Sequence, residues 1–343
     1  MPPEQVETKA EPFNFNQKPS PVSWLIDNLI PLNHICGLQG MSTAGKSWVL
    51  AHLAICLTHK AKLFDQFNVE GCDVLYIDQD TATDDLKRRL LKLSQGSRKS
   101  QNHNLYVLSQ QGLSMSSGTL QRAIREHGHI PVVILDSLIS TVGSLDTNSS
   151  KDMQYYITLG QECRSRGQTL VISEHISEKR LLSVFELMTS MPNNLGMGSS
   201  VINQHADTYF IVAGKASNGK LTRQYIRPVS KRAAIPTGPF QVKFDSPKED
   251  ETEWIYYDGP YDSSNEVQAD IMALFNELQK PMTVTEVYNE LGGLHGICTV
   301  RQELANLNHL GKLHLVREKH NLFRYVPISK EEEKQRADEI NRA

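Results

Sequence analysis

The sequence predicts an α/β fold, with a mainly parallel sheet covered by helices on both faces and a small mixed module at the C-terminal end. Three observations predict it. Apolar runs of strand length at 34–38, 72–78, 131–137 and 169–173 alternate with helix-length segments, and strands apolar throughout imply burial on both faces. The stretch Gly40-Met41-Ser42-Thr43-Ala44-Gly45-Lys46-Ser47 lies between the first of these runs and a segment suited to a buried helix. After 258–264 the alternation stops, and three helical segments lead into a hairpin pattern.

The first long element pair follows from the Gly-rich stretch, which reads G-x-x-x-x-G-K-S. His34 to Leu38 is mostly apolar, and Ser47 to Leu57 contains neither Gly nor Pro. That context predicts strand, phosphate-binding loop and helix in succession. Gly40 and Gly45 let the backbone curl so that N–H groups of Ser42, Thr43, Ala44, Lys46, Ser47 and Trp48 face phosphate oxygens, aided by the positive helix N-terminus. Lys46 would reach the β- and γ-phosphates, and the Ser47 hydroxyl would ligate Mg²⁺. The expected cofactors are therefore ATP and Mg²⁺.

The remaining elements come in order. Val22 to Ile26 supplies apolar residues that would pack beside the first strand. Cys72 to Asp78 is a second buried strand, and Thr83 to Leu93 a helix with leucines at 86, 90, 91 and 93. A short strand at 105–108, a short helix at 120–126 and the strand Pro131 to Asp136 follow, then a helix at 153–163 and a strand at 169–173. Asn218-Gly219 marks a hairpin between runs at 206–213 and 221–227, and strands continue at 240–244 and 254–257. Helices at 267–279, 284–291 and 298–310, with a hairpin from 313–316 to 323–326, follow the winged-helix plan. The chain thus divides into a flexible arm at 1–20, a core at 21–258, a winged-helix module at 265–328 and a charged tail at 329–343.

Composition narrows the function classes. A formal charge of −3 excludes a globally basic nucleic-acid coat, leaving only local patches. Five scattered cysteines with no C-x-x-C pair point to reduced thiols rather than a disulfide framework or zinc site. No apolar run approaches a membrane span, and the polar, Pro-rich start lacks the apolar centre of a signal peptide, so a cytoplasmic protein with no membrane partner is expected.

Two further elements complete a nucleotide site. Asp136 ends an apolar strand, where an acid in such proteins holds Mg²⁺ directly or through water. Asp78 and Asp80 end the preceding long strand, and either could align the water that attacks a phosphate, while Asp80 could equally cap the next helix.

The order of these pieces resembles the RecA-like P-loop ATPases of the KaiC and plasmid RepA helicase group. The resemblance rests on Asp80, Leu135-Asp136-Ser137-Leu138, Glu174-His175 and Gly198-Ser199-Ser200, and covers about 24–236. It implies a RecA-like core that hydrolyses ATP as a homo-oligomeric ring, a hexamer among the sizes allowed, with nucleotide at subunit interfaces and single-stranded DNA in the channel. Asp80 stands where the group usually has a water-activating Glu, and His175 matches the position that couples the γ-phosphate to the DNA-binding loop. That loop would be 176–196, with Lys179 and Arg180 toward DNA. Met197 falls where RepA-like proteins carry an Arg. Lys231 and Arg232 lie where the group carries basic residues that reach the neighbouring subunit's phosphate.

In the C-terminal module, Thr299 to Leu310 would be the recognition helix and 316–323 the wing. Arg301, Arg317, Lys319 and Arg324 would meet duplex phosphates. Six basic residues against seven acidic ones over 265–325 leave both DNA contact and protein docking open. The function expected is an ATP-dependent DNA-processing ATPase, helicase- or loader-like. The alternative is a slowly hydrolysing, nucleotide-switched adaptor that recruits a partner through the winged helix.

Overall fold

In the computed structural model, the described residues are 15, 16, 18, 20–176, 184–189, 205–217, 220–230, 237–245, 253–291, 297–310, 312–317 and 323–327. The sequence positions Lys179, Arg180, Met197, Gly198 to Ser200, Lys231, Arg232 and Lys319 lie outside them.

Strands β1 (Trp24–Ile26) and β2 (Ile30–Pro31) form a small antiparallel ribbon. Leu25 and Ile26 are buried in the main core, beside the first long strand as their apolarity requires. The central sheet is built from β3 (Ile35–Gly40), β4 (Val74–Asp78), β5 (Leu105–Ser109), β6 (Val132–Asp136), β7 (Thr169–His175), β8 (Thr208–Ser217), β9 (Lys220–Ser230), β10 (Phe240–Asp245) and β11 (Trp254–Pro260). Its order is β11-β10-β9-β8-β3-β7-β6-β4-β5. The pairs from β8 through β5 are parallel, and those from β8 outward to β11 are antiparallel.

The crossover helices are α1 (Lys46–His59), α2 (Thr83–Gly96), α3 (Thr119–Glu126), α4 (Leu138–Thr141) and α5 (Gln154–Ser165). Alternate residues of each parallel strand enter different cores, as the two-residue period of a strand demands. Val74, Tyr76, Val132 and Ile134 join α1 and α2 on one face. Leu75, Ile77, Val133 and Leu135 join α3 and α5 on the other. The apolar runs are thus continuous because both faces are covered. Helix α6 (Val184–Thr189) packs Leu187 and Met188 against Ile211 and Tyr225 of the β8–β9 hairpin.

A separate cluster lies beyond residue 262. Helices α7 (Ser263–Leu278), α8 (Val284–Glu290) and α9 (Ile297–His309) surround it with the hairpin β12 (Leu313–Arg317) and β13 (Phe323–Pro327). Val267, Ile271, Phe275, Val300, Leu304 and Leu313 are fully buried there. Helix α8 starts in a capping box, Thr283 and Glu286 exchanging side-chain bonds with each other's backbone.

Strand register decides which residues meet. Gly40 pairs with His175, and Asp78 with Asp136. The C-terminal ends of β3, β4, β6 and β7 therefore stop at one level, the edge where open α/β sheets bind ligands. Among the described residues no helix is long and apolar enough to cross a membrane.

Candidate functional site

A cleft of about 450 Å³ opens at that edge. Ser42, Thr43, Gly45, Lys46, Ser47 and Trp48 line it from the loop and the start of α1. Asp80, Arg89, Asp136, Ser137, Ser173 and His175, from later in the chain, complete the lining.

The loop's shape follows from its glycines. Gly45 sits at φ 76°, which a residue with a side chain adopts only at a cost, and α1 begins directly after it. A Cβ on Gly40 would stand 2.5 Å from the Val212 carbonyl oxygen on the adjacent strand. The first helical bonds run from Trp48 and Val49 N–H to the Gly45 carbonyl, at 3.1 and 3.3 Å. The N–H groups of Lys46 and Ser47 thus stand ahead of the helical ladder, as an anion site at a helix start requires. Gln224 of β9 is fully buried and donates to the Ala44 carbonyl at 2.6 Å, tying the loop to the antiparallel part of the sheet.

Lys46 is buried, and its Nζ donates to the carbonyls of Gly40 and Met41, 2.8 Å each. The Gly40 carbonyl also accepts from the Ile176 N–H at 3.1 Å. His175 Nδ1 is 3.5 Å from Nζ. Burial pushes the Lys46 pKa from 10.5 down to about 8, with the negative charge of Asp136 opposing part of that fall.

Asp136 is held at both oxygens. Oδ1 accepts from Ser173 Oγ at 2.8 Å and Oδ2 from Tyr76 Oη at 3.1 Å. Each oxygen keeps a further lone pair, so the carboxylate is oriented yet open to a cation or its water. Burial, with Asp136 next, raises the Tyr76 pKa far above its usual value and keeps the phenol a donor.

The two acids after β4 separate cleanly. Asp78 is buried, and its Oδ1 accepts from the N–H groups of Asp80 and Thr81 at 2.9 and 2.8 Å. It shapes the turn, and burial raises its pKa. Asp80 stands exposed at the cleft and accepts from Ser137 Oγ at 2.9 Å. It does not cap α2, whose N-cap is Ala82 with no side-chain bond.

These contacts fit a nucleotide with Mg²⁺. The loop offers backbone donors and a lysine, while Ser47 and Asp136 offer the one or two oxygen ligands that Mg²⁺ takes from protein beside phosphate and water. Sequence reasoning assigned no role to four contributors. Ser137 and Ser173 orient the acids, and Gln224 fixes the loop from far along the chain. Arg89 was hidden in the run Lys87-Arg88-Arg89, though it shares the α2 face of Leu86 and Leu93.

The predicted nucleic-acid residues that can be located lie in the C-terminal cluster. Arg301 is exposed on α9, and Arg317 is exposed with its guanidinium 6.0 Å from the Phe323 ring. Arg324 donates to the Pro281 carbonyl at 3.1 Å and pairs with Glu286 at 3.3 Å.

No curated protein matches the chain. A protein-family model described as an AAA domain matches residues 2–180, just over half of the sequence. That span contains the loop, Asp80, Asp136 and His175 of the cleft, and the match supports a nucleotide-binding ATPase domain. The chain belongs to the AAA-domain family.

Proposed function

We propose that the chain is an ATP-hydrolysing DNA-processing protein of helicase or loader type, with a RecA-like core and a C-terminal winged helix, working as a ring with nucleotide at subunit interfaces. One observation carries the ATPase reading: Lys46, Ser47, Asp80, Asp136 and His175, from four strand ends, line one cleft. Lys46 exchanges its two carbonyl partners for β- and γ-phosphate oxygens. Ser47 and Asp136 would hold Mg²⁺, and the ion would supply neutralisation of charge building on the phosphates. Asp80 aligns the attacking water and accepts its proton. His175, beside Lys46, senses the γ-phosphate at the head of 176–196.

The topology supports supply of Lys231 and Arg232 to a neighbour. Ser230 pairs with Thr208, and Thr208 with Cys36, near the start of β3. Gly40 lies four residues further along, about 13 Å at strand spacing. Ser230, the residue before the two cations, therefore stands at the pole of the sheet opposite its own chain's cleft. Three helices and a hairpin around one core support the winged helix.

One observation favours the slow, partner-recruiting switch. Asp80 is a short acid, and its carboxylate is already engaged by Ser137. Measuring ATP turnover with and without single-stranded DNA, alongside particle mass with ATP, decides between them. DNA-stimulated turnover by a multimer supports the motor; tight ATP binding with negligible turnover supports the switch. A chain that binds no ATP refutes both.

A further inference from the structure

Among the described residues, Arg89 is the one cleft cation that neither reading employs. It projects from α2, and its guanidinium carbon lies 5.1 Å from the centroid of the Trp48 ring. Trp48 stands in the first turn of α1 and packs against Phe244, edge to face at 6.3 Å. The guanidinium therefore lies over an indole that is itself packed against another ring. One of its donors, Nη1, is buried without a hydrogen bond, although Asp80 and Asp136 line the same cleft. A charged donor shut away from water and left without an acceptor is unfavourable, so the arrangement suits an acceptor that arrives with the ligand.

The chemistry of that acceptor follows from the group. A guanidinium presents a rigid planar fork of donors that matches the paired oxygens of a phosphate, and stacking on an aromatic ring leaves that fork free. We propose that Arg89 is a phosphate ligand of the bound nucleotide, supplied by the same chain and held in place by Trp48. This rests on the reading of the cleft as an ATP site. It gives each site a cation of its own in addition to Lys46, distinct from the Lys231 and Arg232 proposed to come from a neighbour. Phosphate affinity then no longer depends wholly on assembly.

The test is calorimetric binding of Mg-ATP and of inorganic tripolyphosphate to the full chain, comparing wild type with Arg89→Met, Arg89→Lys and Lys46→Ala. Arg89→Met keeps a stem to lie on Trp48, and equal thermal melts establish that α2 still packs. A lost hydrogen bond to a charged group corresponds to roughly a 10- to 100-fold weakening. Arg89→Met should weaken both ligands by that factor, and Arg89→Lys should recover only part, since it restores charge without the fork. Tripolyphosphate should also alter indole emission in wild type and do so much less in Trp48→Phe. Unchanged affinity for both ligands in Arg89→Met overturns the proposal, with Lys46→Ala weakening both showing that the cleft itself is sound. A loss for ATP alone would put Arg89 against the nucleoside and equally overturn it. Wild type binding neither ligand sinks the ATP-site reading and this one together.

Discussion

Replacing Lys46 by Met tests whether the loop holds its lysine at an energetic cost while no phosphate is present. The fall in its pKa from 10.5 to about 8 corresponds to about 3 kcal/mol disfavouring the charged form in the fold, at roughly 1.4 kcal/mol per pH unit. Against this stand the two bonds to Gly40 and Met41, each worth about 1 kcal/mol. At pH 7, Lys46→Met should therefore exceed wild type in stability by about 1–2 kcal/mol. The sign of the pH dependence follows from proton counts. Below pH 8 the amine is charged in both states, and the difference between the two proteins is flat. Between pH 8 and 10.5 the unfolded chain keeps a proton that the folded chain has released, so wild-type stability rises relative to the mutant. Most of that 3 kcal/mol should appear by pH 10, reversing the order of the two proteins. Urea denaturation of both from pH 6 to pH 10 measures the difference directly, and other titrating groups cancel in the subtraction. A difference that stays constant over that range would refute the reasoning. Because phosphates need the charged amine, ATP affinity should also fall about tenfold per pH unit above pH 8.

Three further outcomes are expected. Gly40→Ala forces its methyl against the Val212 carbonyl, and should cost about 1–3 kcal/mol in denaturation while weakening ATP binding; wild-type behaviour in both would show that the loop tolerates a side chain there. Asp80→Asn should cut ATP turnover about 10²–10⁴-fold, and Asp80→Glu should raise it by extending the acid toward the water; equal steady-state rates for wild type and Asp80→Asn would remove Asp80 from the reaction. Gln224→Leu leaves the Ala44 carbonyl without its buried donor, and should cost about 1–3 kcal/mol with a matching loss of ATP affinity by titration; a melt that shifts while affinity holds would limit Gln224 to packing.

Much of the core was legible because its signals are local. The loop is contiguous with the strand and helix it needs, and each parallel strand announces itself by apolar residues on both faces. Asp136 was findable as the acid ending such a strand. The choice between Asp78 and Asp80 was not, since neighbouring acids at a strand end look alike until the turn is formed and Asp78 is seen to spend its oxygen on backbone N–H groups. Arg89 depended on helix phase: of three consecutive cations, only the one aligned with Leu86 and Leu93 turns inward. Gln224 was out of reach, because its role comes from antiparallel pairing that brings it beside a loop 180 residues earlier.

The carbonyl of Gly40 serves two donors at once, the Lys46 ammonium and the amide through which the chain leaves β7. If the lysine turned to a phosphate, the Ile176 amide would inherit the whole of that oxygen. Occupancy of the cleft would thereby be written into the protection of a single amide at the root of the next segment. Its hydrogen-exchange rate would become a gauge that can be read from outside, before any larger movement has taken place.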